Sequence, residues 1–210
     1  MTEINLTETI DKYYDSLSSN SNPRDYFYIS EAAKPDWILW NNLKNPTARK
    51  FDSKTKRILE MGDMIHQQFM KVFAASGILV ASEIDIPKTE LIHGRCDAII
   101  TDKVKNYIVD IKSTNMWTYQ KLTEAKPDDV VQVQLYMHFF NIHNGILIYC
   151  NKNDGGIKEY HLTYNKDLCE DVLYKLQKVK KMIAENIEPE KKCSCGDSWC
   201  EICGGLKNLK

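Results

Sequence analysis

The order of hydrophobic patterns along the chain limits its possible folds more than any other feature. Apolar residues recur at helical spacing over 53–75 and 128–143, and a further helix is predicted at 166–185. The strand-like runs between these segments are rich in Ile and Val and have short polar connections. They cover residues 78–86, 91–101, 106–112, 145–150 and 157–164. This order predicts one mixed α/β domain whose first three strands form an antiparallel meander.

The two ends of the chain differ from this domain in composition. Residues 1–45 are acidic and rich in aromatic side chains, with helices expected at 6–17 and 30–43. Four cysteines crowd the other end. We therefore divide the chain into an N-terminal helical segment (1–45), a core (46–187) and a cysteine-rich tail (188–210).

Charge and hydropathy narrow the class of protein. The chain has 28 Lys and Arg against 29 Asp and Glu, so it is not a uniformly basic DNA-coating protein, and any nucleic-acid site must be a local patch. The N-terminus lacks the basic start and apolar stretch of a secretory signal. The longest uncharged stretch, 130–151, contains Gln, His and Asn and is too polar to span a bilayer. We expect a cytoplasmic protein that does not contact a membrane.

One basic patch directly precedes the first long helix. Six residues between 44 and 57 are basic, and only Asp52 is acidic. Such a run is either a solvated linker or a surface that contacts phosphates. The candidate phosphate contacts are Arg49, Lys50, Lys54 and Arg57.

The third strand of the meander carries an acid and a lysine two residues apart. Because strand side chains alternate, Asp110 and Lys112 project from the same face as Ile108. A surface ion pair is the ordinary explanation for such a spacing. However, Asp97 lies beside Ile99 in the preceding strand, where a buried carboxylate needs a partner. A cation shared by the two acids meets that need, and oxygen ligands favour magnesium or manganese.

Two helical pairs flank these strands. Gly62 and His66 are four residues apart on the first long helix, where the glycine permits close approach and the imidazole can ligate a metal. Gln132 and Tyr136 have the same spacing on the next helix. Taken singly, each pair is better explained by a structural role, and His66 by a satisfied core histidine. Their order around the two acids and the lysine is the informative feature.

The ordered motifs G-x-x-x-H, G-x-x-D, D-x-K and Q-x-x-x-Y resemble the RecB-like branch of the PD-(D/E)XK nuclease superfamily, including CRISPR-associated and phage exonucleases. The resemblance covers about residues 50–165, with the motifs at 62–66, 94–97, 109–114 and 132–136. It implies a restriction-endonuclease-like core, that is, a mixed central sheet flanked by helices. N-terminal helices and a short cysteine-rich metal-binding tail would extend this core.

The resemblance also implies a role for each motif residue. The cation ligands would be His66, Asp97, Asp110 and the backbone carbonyl of Ile111, and Lys112 would be catalytic beside the two acids. Gln132 and Tyr136 would contact or position the DNA backbone. Glu83 matches the glutamate often found before the G-x-x-D strand and is a weaker candidate ligand.

Two aromatic residues follow the D-x-K strand. Trp117 and Tyr119 are either core residues or platforms on which DNA bases stack. Proteins that bind single strands independently of their sequence commonly use such stacking. The basic patch, just before the helix that carries His66, would guide phosphates toward the cation.

The four cysteines of the tail have the spacing of metal ligands. Tetrahedral thiolate sites use pairs such as C-x-x-C, and an odd number of cysteines without a secretory signal argues against disulfides. The nuclease family often holds an iron–sulfur cluster with one cysteine before the core, but the first cysteine here is Cys96. Zinc and a tail-bound iron–sulfur cluster both remain open. The expected ligands are Cys193, Cys195, Cys200 and Cys203.

These observations predict a magnesium- or manganese-dependent deoxyribonuclease, an exonuclease that hydrolyses DNA ends or single strands. Its source would be a bacterium, an archaeon or a virus, and its protein partners would belong to replication, recombination or CRISPR-type systems. The alternative is a non-catalytic nucleic-acid-binding accessory protein with a nuclease-like fold and a zinc-knuckle tail. A small-molecule hydrolase is not supported, because G-x-S-x-G, H-E-x-x-H and a phosphate-cradling glycine loop are all missing from the sequence.

Overall fold

The helices and strands alternate in the order that the sequence predicts. A computed structural model describes residues 4–17, 23–46 and 51–191. The helices are α1 (Leu6–Ser16), α2 (Asp36–Lys44), α3 (Ser53–Ala75), α4 (Met116–Lys121), α5 (Pro127–Phe140) and α6 (Lys166–Ala184), with a single 3₁₀ turn at Ile29–Glu31. The strands are β1 (Phe27–Tyr28), β2 (Leu79–Asp85), β3 (Ile92–His93), β4 (Arg95–Thr101), β5 (Asn106–Thr114), β6 (Asn144–Asn151) and β7 (Ile157–Thr163).

The helix boundaries follow from local capping chemistry. The Asp52 side chain accepts a hydrogen bond from the Thr55 N–H at 2.7 Å and begins α3. The chain leaves that helix through Gly77, whose φ of 67° suits glycine. Helix α5 begins with Pro127 in its first turn and ends at Asn141, which adopts the left-handed conformation.

Five strands form a mixed sheet in the order β2-β4-β5-β6-β7. The pairs β2–β4 and β4–β5 are antiparallel, which confirms the predicted meander. The later pair β6–β7 is antiparallel as well. Strands β5 and β6 are parallel, and α4 and α5 form the crossover between them. The α/β class and the mixed central sheet flanked by helices are therefore both confirmed.

A separate pair of short strands was not expected from the sequence. The predicted strand 91–101 is interrupted at Gly94, and its first part, β3, pairs in parallel with β1 instead. A Cβ at Gly94 would lie 2.8 Å from Ile29 Cδ1, so the chain can pass there only without a side chain. The second predicted helix is also shorter than 30–43, because α2 begins only after Pro35.

The sheet separates two apolar layers. On one face, Ile108 packs in a large cluster with residues of α2, α5 and α6. On the other face, Val109 and Ile111 pack in a smaller cluster against α3. Helix α2 contributes Leu39 and Trp40 to the large cluster, so part of the N-terminal segment completes the core. Within residues 4–17, 23–46 and 51–191, no helix is long and apolar enough to cross a membrane.

Candidate metal centre and its lysine

Two acids face each other where β4 and β5 separate. The last paired residues of these strands are Ala98 and Val109, so Asp97 and Asp110 lie just beyond the ladder. Asp97 Oδ2 accepts a hydrogen bond from the Ile111 N–H at 2.7 Å. This contact fixes the Asp97 carboxylate in the opening between the strands.

Helix α3 and strand β2 add two further ligand groups to this opening. His66 Nδ1 lies 3.6 Å from Asp97 Oδ2. Glu83 lies opposite Asp97 in the β2–β4 pairing, between the registered pairs on either side of it. One ligand atom from each of His66, Glu83 and Asp97 lies within 4.8 Å of the others. An imidazole and two carboxylates at these separations can share one cation.

Glu83 has an unusual backbone conformation for a residue within a strand. Its φ is 53°, in the left-handed region that costs a residue with a Cβ about 1–2 kcal/mol. Such strain is often found at functional sites, where it directs a side chain. The structure thus places the weakest of the sequence-predicted ligands within this group. Only the resemblance pointed to Glu83, because a positive φ at a residue other than glycine cannot be recognised from the sequence.

Asp110 is almost fully buried and paired with the lysine two residues away. Its exposed fraction is 1%, and Lys112 Nζ lies 2.7 Å from its Oδ2, although the angles are poor for a hydrogen bond. Among the described residues, no donor reaches Asp110 Oδ1. A buried carboxylate oxygen without a donor is costly, and a cation at the neighbouring opening would satisfy it. The residues present therefore fit a divalent cation.

Burial and neighbouring charges shift the pKa of Asp97, Asp110 and Lys112. Burial, with repulsion from Asp110, raises the pKa of Asp97 to about 6, although His66 opposes the shift. Burial likewise raises the pKa of Asp110 despite the attraction of Lys112. Burial alone would lower the pKa of Lys112, but Asp110 and Asp129 outweigh it and the net change is upward. Lys112 is therefore an ammonium ion at neutral pH.

Helix α5 holds the lysine in place. Lys112 Nζ donates to Gln132 Oε1 at 2.8 Å and lies 4.0 Å from Asp129 Oδ1. The Tyr149 hydroxyl donates to Asp129 Oδ2 at 2.6 Å and accepts from the Lys126 N–H. Asp129 was not predicted as a site residue, although it lies in the first turn of the helix that carries the Q-x-x-x-Y motif, directly before two valines.

Gln132 and Tyr136 lie inside the protein, with exposed fractions of 9% and 2%. The Tyr136 hydroxyl donates to the Arg95 carbonyl at 2.6 Å, and the Gln132 amide is 3.4 Å from that hydroxyl. Gln132 thus links the lysine to the backbone of β4. This placement favours the positioning role over direct contact of these side chains with DNA.

Gly62 brings α3 close to β5, as the sequence predicts. A Cβ at this position would lie 3.2 Å from Ser113 Oγ, in the strand that carries Asp110 and Lys112. His66, one turn further along, is about one-third exposed and reaches Asp97. The glycine therefore lets the helix approach closely enough for its histidine to join the acids.

Part of the basic patch holds α1 rather than facing solvent. Arg57 Nη1 lies 2.5 Å from Asp11 Oδ1, and Lys56 Nζ donates to the carbonyls of Tyr14 and Leu17 at the end of α1. Arg57 is thus paired with an acid of α1, and a phosphate contact by this residue stays a prediction. Lys54 is exposed. Arg49 and Lys50 lie outside the described residues.

The two aromatic residues after β5 differ in exposure. Trp117 is 76% exposed and free to stack on a base. Tyr119 is partly buried beneath Lys158, whose Nζ lies 4.6 Å from the ring centre and donates to the Tyr119 carbonyl. Of the pair, the structure therefore leaves Trp117 as the open aromatic surface.

The three isolated cysteines lie in the protein interior, as the sequence predicts. They are Cys96, Cys150 and Cys169, and all three thiols are free. Burial raises the pKa of the Cys169 thiol to about 11, which keeps it protonated and unreactive. The four predicted tail ligands lie outside the described residues: Cys193, Cys195, Cys200 and Cys203.

The fold is shared with solved exonuclease structures. An alkaline exonuclease from Laribacter hongkongensis aligns with a TM-score of 0.60 at 14% identity, over 86% of this chain and 94% of that chain. A phage-related exonuclease from Haemophilus somnus 129PT aligns with a TM-score of 0.57 at 14% identity, over 77% and 96%. The protein SSO0001 aligns with a TM-score of 0.56 at 20% identity, over 85% and 86%. No protein-family model and no curated protein matches the sequence. At these identities the likeness establishes the fold.

Proposed function

We propose that this protein is a divalent-cation-dependent deoxyribonuclease of the RecB-like PD-(D/E)XK type, acting as an exonuclease on DNA ends or single strands. The observation that carries the proposal is the buried Asp110 beside Lys112, at an opening where His66, Glu83 and Asp97 come within 4.8 Å of one another. An ion pair that only stabilises the fold would not require three potential metal ligands beside it.

Each residue has a distinct task in the proposed reaction. His66, Glu83, Asp97 and Asp110 would hold magnesium or manganese, together with the carbonyl of Ile111. The bound cation would polarise the scissile phosphate and lower the pKa of an attacking water. Lys112 remains an ammonium ion, so it would stabilise the negative charge that develops on the phosphate rather than accept a proton. Gln132 and Asp129 keep its Nζ at that position.

The choice of DNA as substrate has independent support. The Laribacter and Haemophilus proteins that share the fold are named exonucleases, and one structure of the Laribacter enzyme contains dAMP. Trp117 offers an exposed ring and Lys54 an exposed ammonium for a strand that leads to the cation. The cysteines of the tail would bind zinc or an iron–sulfur cluster, which the colour and metal content of anaerobically purified protein would distinguish.

Cleavage of labelled single- and double-stranded DNA with magnesium or manganese tests the proposal. We expect cation-dependent cleavage, lost in Asp110→Ala and Lys112→Ala. Asp171→Ala and Lys178→Ala are matched controls, because both residues are exposed on α6. No cleavage by the wild type, or unchanged cleavage by the two site variants, would refute the catalytic proposal. Binding of DNA without turnover would favour the accessory-protein alternative.

A further inference from the structure

An arginine outside the predicted site lies at its edge. Arg95 follows Gly94 of the G-x-x-D motif, and its side chain is 58% exposed. Its Nε donates to Asp85 Oδ1 at 3.1 Å, and its Nη1 lies 3.8 Å from Glu83 Oε2. Arg95 is thus held by two acids, and one of them belongs to the candidate metal group.

These ion pairs are too exposed to be a stabilising device. The side chains of Asp85 and Glu83 are 71% and 55% exposed, and exposed pairs contribute little to stability. The backbone of Arg95, in contrast, is fixed, because its carbonyl accepts the Tyr136 hydroxyl bond. The Arg95 guanidinium therefore lies on a fixed strand but is held only weakly by its two carboxylates. It can exchange one of them for another anion at little cost in free energy.

A cation bound at the opening would compete with Arg95 for Glu83. If the Glu83 carboxylate moved onto that cation, its 3.8 Å contact with Arg95 would weaken, and Asp85 would become the main partner of the guanidinium. A planar guanidinium with several donors binds phosphate oxygens in a bidentate manner. The strained backbone at Glu83 and the pairing of Asp85 with Arg95 keep this group beside the opening.

We propose that Arg95 is a substrate-binding residue that contacts a DNA phosphate next to the scissile one once Glu83 engages the cation. The proposal rests on the proposed function, and it adds that Arg95 exchanges Glu83 for a DNA phosphate. Through Arg95, binding of the cation would then increase the affinity for the DNA strand.

Two binding measurements on the full chain test this inference. The first is the affinity for a labelled single-stranded oligonucleotide with calcium as the cation, under conditions where cleavage is checked to be absent. The second is the affinity for manganese alone, by calorimetry, without DNA. The variants are Arg95→Gln and Arg95→Lys, with Asp85→Asn to release the arginine. Lys105→Gln is a charge control, because Lys105 is exposed in the turn between β4 and β5.

We expect Arg95→Gln to weaken DNA binding about tenfold, as loss of a charge-assisted contact does, and Arg95→Lys to recover part of it. Manganese should bind Arg95→Gln at least as tightly as the wild type, because its competitor is gone. Asp85→Asn should bind DNA at least as well as the wild type, and Lys105→Gln should change DNA affinity less than twofold. These results together support the exchange.

A role limited to holding Glu83 gives a different result. In that case Arg95→Gln would lose manganese and DNA affinity in proportion, and Asp85→Asn would weaken both, which would overturn the inference. DNA affinity of Arg95→Gln within twofold of wild type would also overturn it. Failure of the wild type to cleave DNA would refute the proposed function instead, and the two binding measurements would still decide the role of Arg95.

Discussion

The Asp110–Lys112 pair is asymmetric in its exposure to solvent. Asp110 is 1% exposed and Lys112 is 26% exposed, so an unpaired Lys112 can reach water but an unpaired Asp110 cannot. Removal of one partner from a buried pair costs about 3–5 kcal/mol because the other charge is left uncompensated. Loss of the Lys112 side chain and loss of the Asp110 side chain should therefore lower the free energy of unfolding by different amounts.

We predict that Lys112→Ala lowers the free energy of unfolding more than Asp110→Ala does at pH 8. The uncompensated Asp110 binds a proton more readily in the folded than in the unfolded state, so the deficit of Lys112→Ala should shrink as the pH falls. Urea denaturation at pH 5 and pH 8 measures both trends. Equal destabilisation by the two variants at pH 8 would contradict the argument.

Asp97 gives a second pH-dependent prediction. Its pKa of about 6 in the folded state exceeds the value of about 3.9 in an unfolded chain, so folding is favoured by protonation and the benefit is lost as pH rises from 4 to 6. Relative to the wild type, Asp97→Asn should gain stability across that range. Thermal melts from pH 4 to 7 without divalent cations measure the difference.

A matched acid of opposite behaviour serves as the control. The pKa of Asp102 is lowered because it accepts hydrogen bonds from the N–H groups of Lys105 and Val104. Its stabilising contribution is present above the unfolded pKa and is lost as pH falls through the folded value, so Asp102→Asn should lose stability relative to the wild type at higher pH. If the stabilities of Asp97→Asn and Asp102→Asn, relative to the wild type, changed in the same direction as pH rises, the two pKa directions would be contradicted.

Gln132 and Gln134 are neighbours on α5 with different tasks. Gln132 accepts from Lys112, whereas Gln134 binds the Thr163 carbonyl and the Asn165 N–H at the junction of β7 and α6. We predict that Gln132→Leu lowers kcat about tenfold with little change in KM, because the lysine loses an acceptor that positions it. Gln134→Leu should lower the melting temperature and leave kcat unchanged. Steady-state kinetics and melts of both variants are the measurements.

At the scale of whole elements, local chemistry made some boundaries predictable and long-range contact made others unpredictable. Helix α3 was predicted at its observed ends, because its apolar residues recur at helical spacing and Gly77 follows its last turn. The break between β3 and β4 was not predicted. At this break Gly94 lies against the side chain of Ile29, more than sixty residues earlier, and hydrophobic periodicity carries no information about such a contact.

The close approach of Ile29 to Gly94 leads to a prediction for the element boundary. Ile29 is 1% exposed, and three of its atoms lie within 2.9 Å of a Cβ placed at Gly94, so the side chain has no space into which to move. Gly94→Ala should destabilise the protein by about 1–3 kcal/mol through overpacking. The double variant Gly94→Ala, Ile29→Val, measured by chemical denaturation, should recover part of the loss.

At the scale of the whole molecule, the order of motifs predicted a shared site, and the fold supplies the distances within it. The sequence predicts that His66, Asp97, Asp110 and Lys112 lie together, because metal ligation and charge pairing require particular residue types at particular spacings. In the structure His66 lies 3.6 Å from Asp97, and Lys112 lies 2.7 Å from Asp110. It could not show that Arg57 is bound by Asp11 or that Asp129 stands beside Lys112. Those contacts join residues from separate elements, so no local pattern encodes them.

A centre built from α3, β2, β4 and β5 should tie the stability of the whole molecule to its cation. A ligand that binds only the folded state stabilises it by about 2.7 kcal/mol at 100 times its Kd, which for a chain of this size raises Tm by roughly 5–10 °C. We predict such a rise with manganese for the wild type. It should be nearly absent in Asp97→Asn and Asp110→Ala, and unchanged in the exposed control Asp171→Ala. An equal rise in all four proteins would place the stabilising cation elsewhere, such as the cysteine-rich tail.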